Sequence, residues 1–187
     1  MKTRTPDLEA RWKQRFTTHG VMWTQMAALN PQRGLAGSNQ SGVLQLYAWD
    51  VPSNGLRQLT DFPTGKMFGY LSPDGRFVYY LKDEGSNEIG HYVRVPFEGG
   101  AEEDITPALP PYASHSITAS GDARHLALLA AMPDGFKVYF LDAGQDGLLG
   151  EPRLIHQTSA LVQDVHLSGD GRTAVAVSTE LSARLFT

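Results

Sequence analysis

One short signature recurs three times at a constant interval of 48 residues: Ser72-Pro73-Asp74-Gly75-Arg76, Ser120-Gly121-Asp122-Ala123-Arg124 and Ser168-Gly169-Asp170-Gly171-Arg172. Two equal intervals with no insertion between them require tandem units, each turning its chain in the same way at the same place. The residue types say what kind of turn this is. Asp side chains accept hydrogen bonds from nearby backbone N–H groups, so Asp74, Asp122 and Asp170 read as structural turn residues. Gly75 and Gly171 supply the positive φ that tight hairpin turns need.

The flanks complete the unit. After each signature comes an apolar, β-prone run: Phe77 to Leu81, His125 to Leu129 and Thr173 to Val177. Before each comes a shorter one: Met67 to Leu71, Ser116 to Ala119 and Asp164 to Leu167. Strand, Asp-Gly turn, strand is a hairpin. A third strand is expected at Ile89 to Phe97 and Phe136 to Asp142, and a fourth at Glu103 to Thr106 and Arg153 to His156. Upstream, Leu44 to Trp49 and Leu56 to Thr60 read as the last two strands of a divergent unit whose first two fall within Val21 to Leu29 and Gly34 to Ser38. Four antiparallel strands every ~48 residues is the blade of a β-propeller.

The expected fold is therefore all-β: a partial β-propeller of four-stranded antiparallel blades at 18–66, 67–114, 115–162 and 163–187, preceded by a short helical segment at 1–17. Thr5 suits the N-cap of that helix, Pro6 its first turn, and Leu8, Trp12 and Phe16 share one face. Propellers close with about four to eight complete blades. About three and a half are read from this sequence, so the expectation is an unfinished ring, the N-terminal part of a longer protein. An unfinished ring leaves sheet surface uncovered, which predicts self-association.

Composition narrows the chemistry. The chain has no cysteine, which excludes disulfides, thiol catalysis and cysteine-based zinc sites. Its formal net charge is −4 and no Lys/Arg-rich run occurs, so no nucleic-acid partner is expected. The N-terminus lacks the apolar core of a signal peptide, and no segment reaches the ~20 apolar residues of a membrane-spanning helix. The expectation is a cytoplasmic chain with no membrane partner.

The stretch Gly42 to Asp50 running to Leu59-Thr60, followed by Leu71-Ser72-Pro73-Asp74-Gly75-Arg76, resembles the N-terminal propeller of prolyl oligopeptidase-family serine peptidases. So does Asp83-Glu84-Gly85-Ser86-Asn87-Glu88-Ile89-Gly90-His91 running into Val93 to Gly100. The acylaminoacyl-peptidase-like bacterial branch is the best match, and the likeness extends from about Trp12 onward. The Ser-Pro-Asp-Gly element is shared with TolB-like propellers. The resemblance implies a propeller that caps a C-terminal α/β-hydrolase domain, admits short peptides and excludes folded proteins. That hydrolase domain would follow Thr187 and would be the chain's partner. It also implies that the acidic loop of Asp83, Glu84, Asn87 and Glu88 faces the cavity or the hydrolase, where a carboxylate meets a peptide's free amino group.

No catalytic residue is assigned within the chain. A nucleophile elbow needs Gly-x-Ser-x-Gly, and no such pentapeptide occurs. No cofactor or metal site is expected. Asp142-Ala143-Gly144-Gln145-Asp146-Gly147 opens like a calcium loop, but Gly144 and Arg153 stand where that pattern wants an Asp or Asn and a Glu. Trp49-Asp50 does not recur at the other blade ends, which argues against a WD40 repeat. Glu102-Glu103-Asp104 reads as a solvated turn. The alternative function is a TolB-like propeller that serves as a protein-interaction scaffold. A third, an enzyme with its site in the central channel, lacks inward acids at Gly69, Ile117 and Val165.

Overall fold

The computed structural model describes residues 18–144, 147–179 and, for the backbone alone, 184–186; the helix expected at 6–16 lies outside these. Among the described residues all regular structure is β. The first sheet runs β1 (Val21–Ala27), β2 (Asn30–Ser38), β3 (Gln45–Asp50), β4 (Gly55–Gln58), each antiparallel to the next. The second blade is β5 (Tyr70–Leu71), β6 (Phe77–Asp83), β7 (Ile89–Pro96), β8 (Glu103–Asp104). A two-residue strand, β9 (Tyr112–Ala113), follows. The third blade is β10 (Ile117–Ala119), β11 (His125–Met132), β12 (Gly135–Asp142), β13 (Arg153–Thr158). The fourth is β14 (Val162–Leu167), β15 (Ala174–Ser178), β16 (Arg184–Phe186).

The three signatures fold into three copies of one turn. Ser72, Ser120 and Ser168 each donate their hydroxyl to the following Asp, at 2.6, 2.5 and 2.6 Å. That same Asp oxygen accepts the backbone N–H of Arg76, Arg124 or Arg172, at 3.0, 3.1 and 3.1 Å. The serine oxygen accepts the N–H of Phe77, His125 or Thr173, each at 3.0 Å. The fourth residue of the turn is left-handed in every copy: Gly75 at φ 71°, Ala123 at 58° and Gly171 at 69°. Ala123 therefore holds a conformation that glycine adopts without steric cost.

The repeat interval reappears as contacts between blades. His115 Nε2 meets the carbonyl of Gln163 at 2.8 Å, and Ser116 Oγ donates to Asp164 Oδ1 at 2.6 Å. The Tyr70 hydroxyl accepts the Ala119 N–H at 3.1 Å. Gln25 is bidentate on Leu71, donating to its carbonyl at 3.1 Å and accepting its N–H at 2.9 Å. The first strands of successive blades thus lie side by side, as they must around a common axis.

Apolar layers fill the space between blades. Leu35, Leu46 and Ala48 of blade 1 pack on Val78, Tyr80, Val93 and Val95 of blade 2. Tyr79 and Tyr92 pack on Leu126, Leu128 and Leu141 of blade 3. Ala127, Leu129 and Val138 pack on Val162, Val165 and Ala176 of blade 4. Strand β11 is buried on both faces, with even positions turned to one neighbour and odd positions to the other. This explains why His125 to Met132 reads as a continuous apolar run and not an alternating one.

Two details differ from the sequence reading. The first strand of blade 2 is only Tyr70–Leu71, shorter than Met67 to Leu71. Gly69 sits against Leu46, where an added Cβ would come within 2.6 Å of a Leu46 methyl, and the Met67 carbonyl is taken by the Trp23 indole N–H at 3.0 Å. Blades 2 and 3 are also joined at one corner. There β9 pairs with β7 through Gly90↔Tyr112 and with β11 through Ala131↔Ala113. The buried Tyr112 hydroxyl accepts the Tyr92 N–H at 3.0 Å and bonds Thr106 Oγ1 at 2.9 Å, so this hydroxyl is satisfied inside the corner.

The turn geometry sets two stability outcomes. Ala123→Gly relieves the left-handed strain and gains about 0.5–1 kcal/mol. Ser120→Ala strips the His125 N–H and the Asp122 carboxylate of their buried partner and costs about 1–3 kcal/mol. Urea unfolding of both variants measures this, and the opposite sign for Ala123→Gly would refute the strain argument.

Candidate functional site

Alternating strand direction puts the Ser-Asp turns on one face of the ring and the β6–β7 loops on the other. The loop of blade 2 carries Asp83, Glu84, Asn87 and Glu88. Its backbone is tightly wound, with Gly85 at φ 60°, Ser86 at 63° and Glu88 at 62°. Two non-glycine residues in the left-handed region within three positions is a costly arrangement that the surroundings must hold. Asp83 holds it from one side: its Oδ2 accepts the Glu88 N–H at 3.1 Å. Ser86 Oγ donates to Thr64 Oγ1 at 2.6 Å, and Asn87 Oδ1 accepts the Ile89 N–H at 3.0 Å.

Asp83 is itself anchored by Lys66. The ammonium reaches Asp83 Oδ1 at 2.5 Å, with side chains only 12% and 9% exposed, and also donates to the Leu81 carbonyl at 2.8 Å. Burial works to raise the Asp83 carboxyl. The Lys66 hydrogen bond and the Glu88 N–H outweigh it and hold the group below the usual carboxylate range. Asp83 is thus committed to structure. Glu84 and Glu88 are exposed and have no side-chain partner among the described residues.

A groove of about 1050 Å³ runs beside this loop along the outer half of blade 2, with Leu59 of blade 1 and Pro111 among its walls. Asp83, Glu84 and Asn87 line it together with Lys82, His91 and Glu102, while Val93 and Val95 give it an apolar floor. The acidic run 102–104, read from the sequence as a solvated turn, is exposed as expected, but Glu103–Asp104 is a strand and not a turn, and each of the three carboxylates has a partner. Glu102 accepts from Tyr80 and Lys82, Glu103 pairs with Arg94 at 2.7 Å, and Asp104 meets His91 Nδ1 at 2.7 Å. Strand alternation sends Glu102 and Asp104 to the groove and Glu103 to the opposite face. Burial and the neighbouring Glu102 raise the Tyr80 hydroxyl far above its ordinary value. Lys66, His91 and Lys82 went unassigned in the sequence reading, because only the register Lys82↔His91 and the fold bring them together.

A smaller cleft of about 220 Å³ opens between blades 2 and 3 on the turn face, lined by Asp74, Arg76, Tyr79, Arg94, Asp122 and Arg124. Arg94 is buried, lies 4.3 Å from the Phe77 ring centroid and pairs with Glu103. Asp74 pairs with Arg76 at 3.2 Å within its own turn. Asp122 and Asp170 are both held low, chiefly by the hydroxyls of Ser120 and Ser168. These charges brace turns.

One constellation deserves a chemical test. Ser116, Asp164 and His166 form a chain, with Ser116 Oγ to Asp164 Oδ1 at 2.6 Å and Asp164 Oδ2 to His166 Nε2 at 3.1 Å. The carboxylate stands in the middle. The serine proton is held by an anion with no imidazole beside it, and Ser116 is buried, so this is no acyl-transfer nucleophile. Among the described residues no group of three His, Cys, Asp or Glu side chains is placed to hold a metal ion, and no helix is long and apolar enough to cross a membrane.

No protein-family model matches the sequence, and no curated protein sequence matches it. Solved structures do. A prolyl endopeptidase superposes with a TM-score of 0.67 at 15% identity, over 94% of this chain and 30% of its own. The β-propeller domain of Cps50 (Swd1) from Myceliophteria thermophila gives 0.59 at 12% identity, over 97% and 57%. TolB from Acinetobacter baumannii gives 0.57 at 19% identity, over 83% and 40%. The chain spans well under two thirds of each of these structures. Together with the successive antiparallel blades, the second and third joined through β9 into one nine-stranded sheet, they define the fold as a β-propeller.

The Lys66–Asp83 pair makes a pH prediction. A carboxyl held low in the folded state stabilises it at all pH values above its unfolded pKa of ~3.9, and that contribution is lost as pH falls through the lower folded value. Asp83→Asn should cost about 1–3 kcal/mol at pH 7, and the gap to the parent chain in urea midpoints should narrow as the pH falls below the ordinary carboxylate range. A gap that is constant with pH would mean the carboxylate charge is not what anchors the loop.

Proposed function

We propose that this propeller is the non-catalytic gating portion of a serine peptidase of the prolyl oligopeptidase family, controlling access of short peptides to an α/β-hydrolase domain that follows Thr187. The observation that carries this reading is the superposition of 94% of the chain on a prolyl endopeptidase. Three features support it. The chain carries no Gly-x-Ser-x-Gly nucleophile element. The loop 84–88 is held in a left-handed conformation by a buried ion pair. That loop places the exposed carboxylate of Glu84 in the wall of a groove with an apolar floor and carries the exposed Glu88 four residues further on. In this reading the two carboxylates receive the α-ammonium of a peptide, and the floor of Val93 and Val95 takes an apolar side chain.

A second reading is a TolB-like interaction scaffold without hydrolase activity. It is favoured by the likeness to TolB and by Met67 and Phe68, which are 58% and 73% exposed where blade 2 begins.

Two measurements separate them. The open reading frame beyond codon 187 should encode Gly-x-Ser-x-Gly followed by Asp and then His; a stop codon after further blades favours the scaffold. Calorimetric titration of the chain with a free-amino tripeptide and its N-acetylated form should show binding that acetylation abolishes and that Glu84→Gln/Glu88→Gln weakens about tenfold, the loss of roughly one charge-assisted hydrogen bond. Equal binding of both peptides would remove the amine-recognition role.

A further inference from the structure

The turn between β3 and β4 carries the single Asn-Gly pair of the sequence, Asn54-Gly55. An asparagine can cyclise when the backbone nitrogen of the next residue attacks its side-chain carbonyl. Glycine suits this best, having no Cβ to crowd the nitrogen.

Around Asn54 the structure addresses both reacting groups. Trp49 Nε1 donates to Asn54 Oδ1 at 3.0 Å. The indole is fixed for this, because it lies over Gly34 of β2, where an added Cβ would strike the ring. The Gly55 N–H is donated to Ser53 Oγ at 3.2 Å, and Ser53 Oγ donates in turn to Asp50 Oδ2. The Ser53 N–H reaches that same oxygen at 3.3 Å, so the carboxylate is held on the turn by two atoms of one residue. Asp50, Ser53, Asn54 and Gly55 are all exposed, so water has access to the turn.

We propose that Asn54 is a self-modifying site, where the turn converts its own asparagine into aspartyl and isoaspartyl residues through a succinimide. The proton of the Gly55 nitrogen passes to Ser53 Oγ as the hydroxyl proton moves to Asp50. The nitrogen bonds the Asn54 side-chain carbonyl carbon, and the charge that gathers on Oδ1 meets the Trp49 N–H. The bond from that carbon to Nδ2 breaks, and ammonia leaves with the proton that Asp50 and Ser53 return. Water then opens the ring at either carbonyl. The isoaspartyl product routes the main chain through the former side chain, which lengthens the turn and shifts β4. Arg57 of β4 donates to the Phe97 carbonyl, so the change loosens a contact between blades 1 and 2.

The other three asparagines each lack a part of this arrangement. Asn30 precedes Pro31, which has no N–H to give up. Asn39 precedes Gln40, whose N–H meets Ser38 Oγ at 3.3 Å, but that hydroxyl donates to the Gly20 carbonyl, which is no base. Asn87 precedes Glu88, whose N–H meets Asp83, but Asp83 is paired with Lys66 and held below the usual carboxylate range, which makes it a poor base. Gln40 and Glu88 also carry the Cβ that Gly55 lacks.

Incubation of the full chain at neutral pH in heavy-oxygen water, followed by fragmentation mass spectrometry of its peptides, tests this. Asn54 should take up heavy oxygen as mixed aspartyl and isoaspartyl forms, while Asn39 and Asn87 keep their amides. Ser53→Ala and Asp50→Ala should each slow the conversion about tenfold, less than a positioned base supplies where water is excluded. The parent chain unfolded in urea should convert more slowly by a similar factor, which separates the effect of the fold from that of the dipeptide. Ser53→Thr keeps the hydroxyl and should restore the rate, which a general loosening of the hairpin would not. An Asn54 that stays an amide in the folded parent, or that converts equally fast in Ser53→Ala or in urea, overturns the proposal.

Discussion

The whole arrangement depends on how the first hairpin of each blade is closed. A serine hydroxyl and an aspartate carboxylate, two residues apart, satisfy the N–H groups that a tight turn would otherwise leave bare. Because the same three hydrogen bonds form in each of three blades, the strands leaving each turn start in the same register. That shared register brings Ser116 opposite Asp164 and Tyr70 opposite Ala119, one repeat apart. Blade-to-blade packing follows from it. Leu126 and Leu128 reach blade 2 while Ala127 and Leu129 reach blade 4 only because β11 enters the stack at a defined phase. Slipping a strand by one residue would exchange those two sets.

The same alternation sorts the charges. In β8 and the residue before it, three consecutive acids are sent to two faces, and each finds a different cation or hydroxyl. Asp83 is drawn into a nearly buried pair with Lys66 and braces a loop whose backbone is otherwise unfavourable. The carboxylates of Glu84, in the wall of the groove, and of Glu88, in the same loop, stay exposed and uncommitted. Structural demand thus separates bracing acids from free ones, and only the free ones are available to a ligand.

The β-propeller carries many functions, so likeness to solved structures at 12–19% identity establishes the architecture alone. The proposed peptide gate is drawn from the superposition on a prolyl endopeptidase, and the strained loop, its anchor and the groove beside it support the proposal. Nothing among the described residues assembles a nucleophile with an adjacent base for acyl transfer to a substrate. The chain of Ser116, Asp164 and His166 has its carboxylate between the other two, which locks the serine proton in place.

From the sequence alone, the 48-residue interval and the Asp-Gly turns determined the blade fold, because turn chemistry and strand patterning are local and repeat without tertiary help. The burial of Phe77 to Leu81 and His125 to Leu129 was equally legible, since an unbroken apolar run in a short strand has two faces to cover. Tertiary structure decided the rest. Lys66 and Asp83 lie 17 residues apart, and nothing in either neighbourhood marks them as a pair. The engagement of Glu102, Glu103 and Asp104 depended on which strand ran beside them. The corner stitch at Tyr112–Ala113 required β7 and β11, from different blades, to come within pairing distance of one short segment. Contacts made across blades depend on the angle between sheets, and no local pattern of residues encodes that angle.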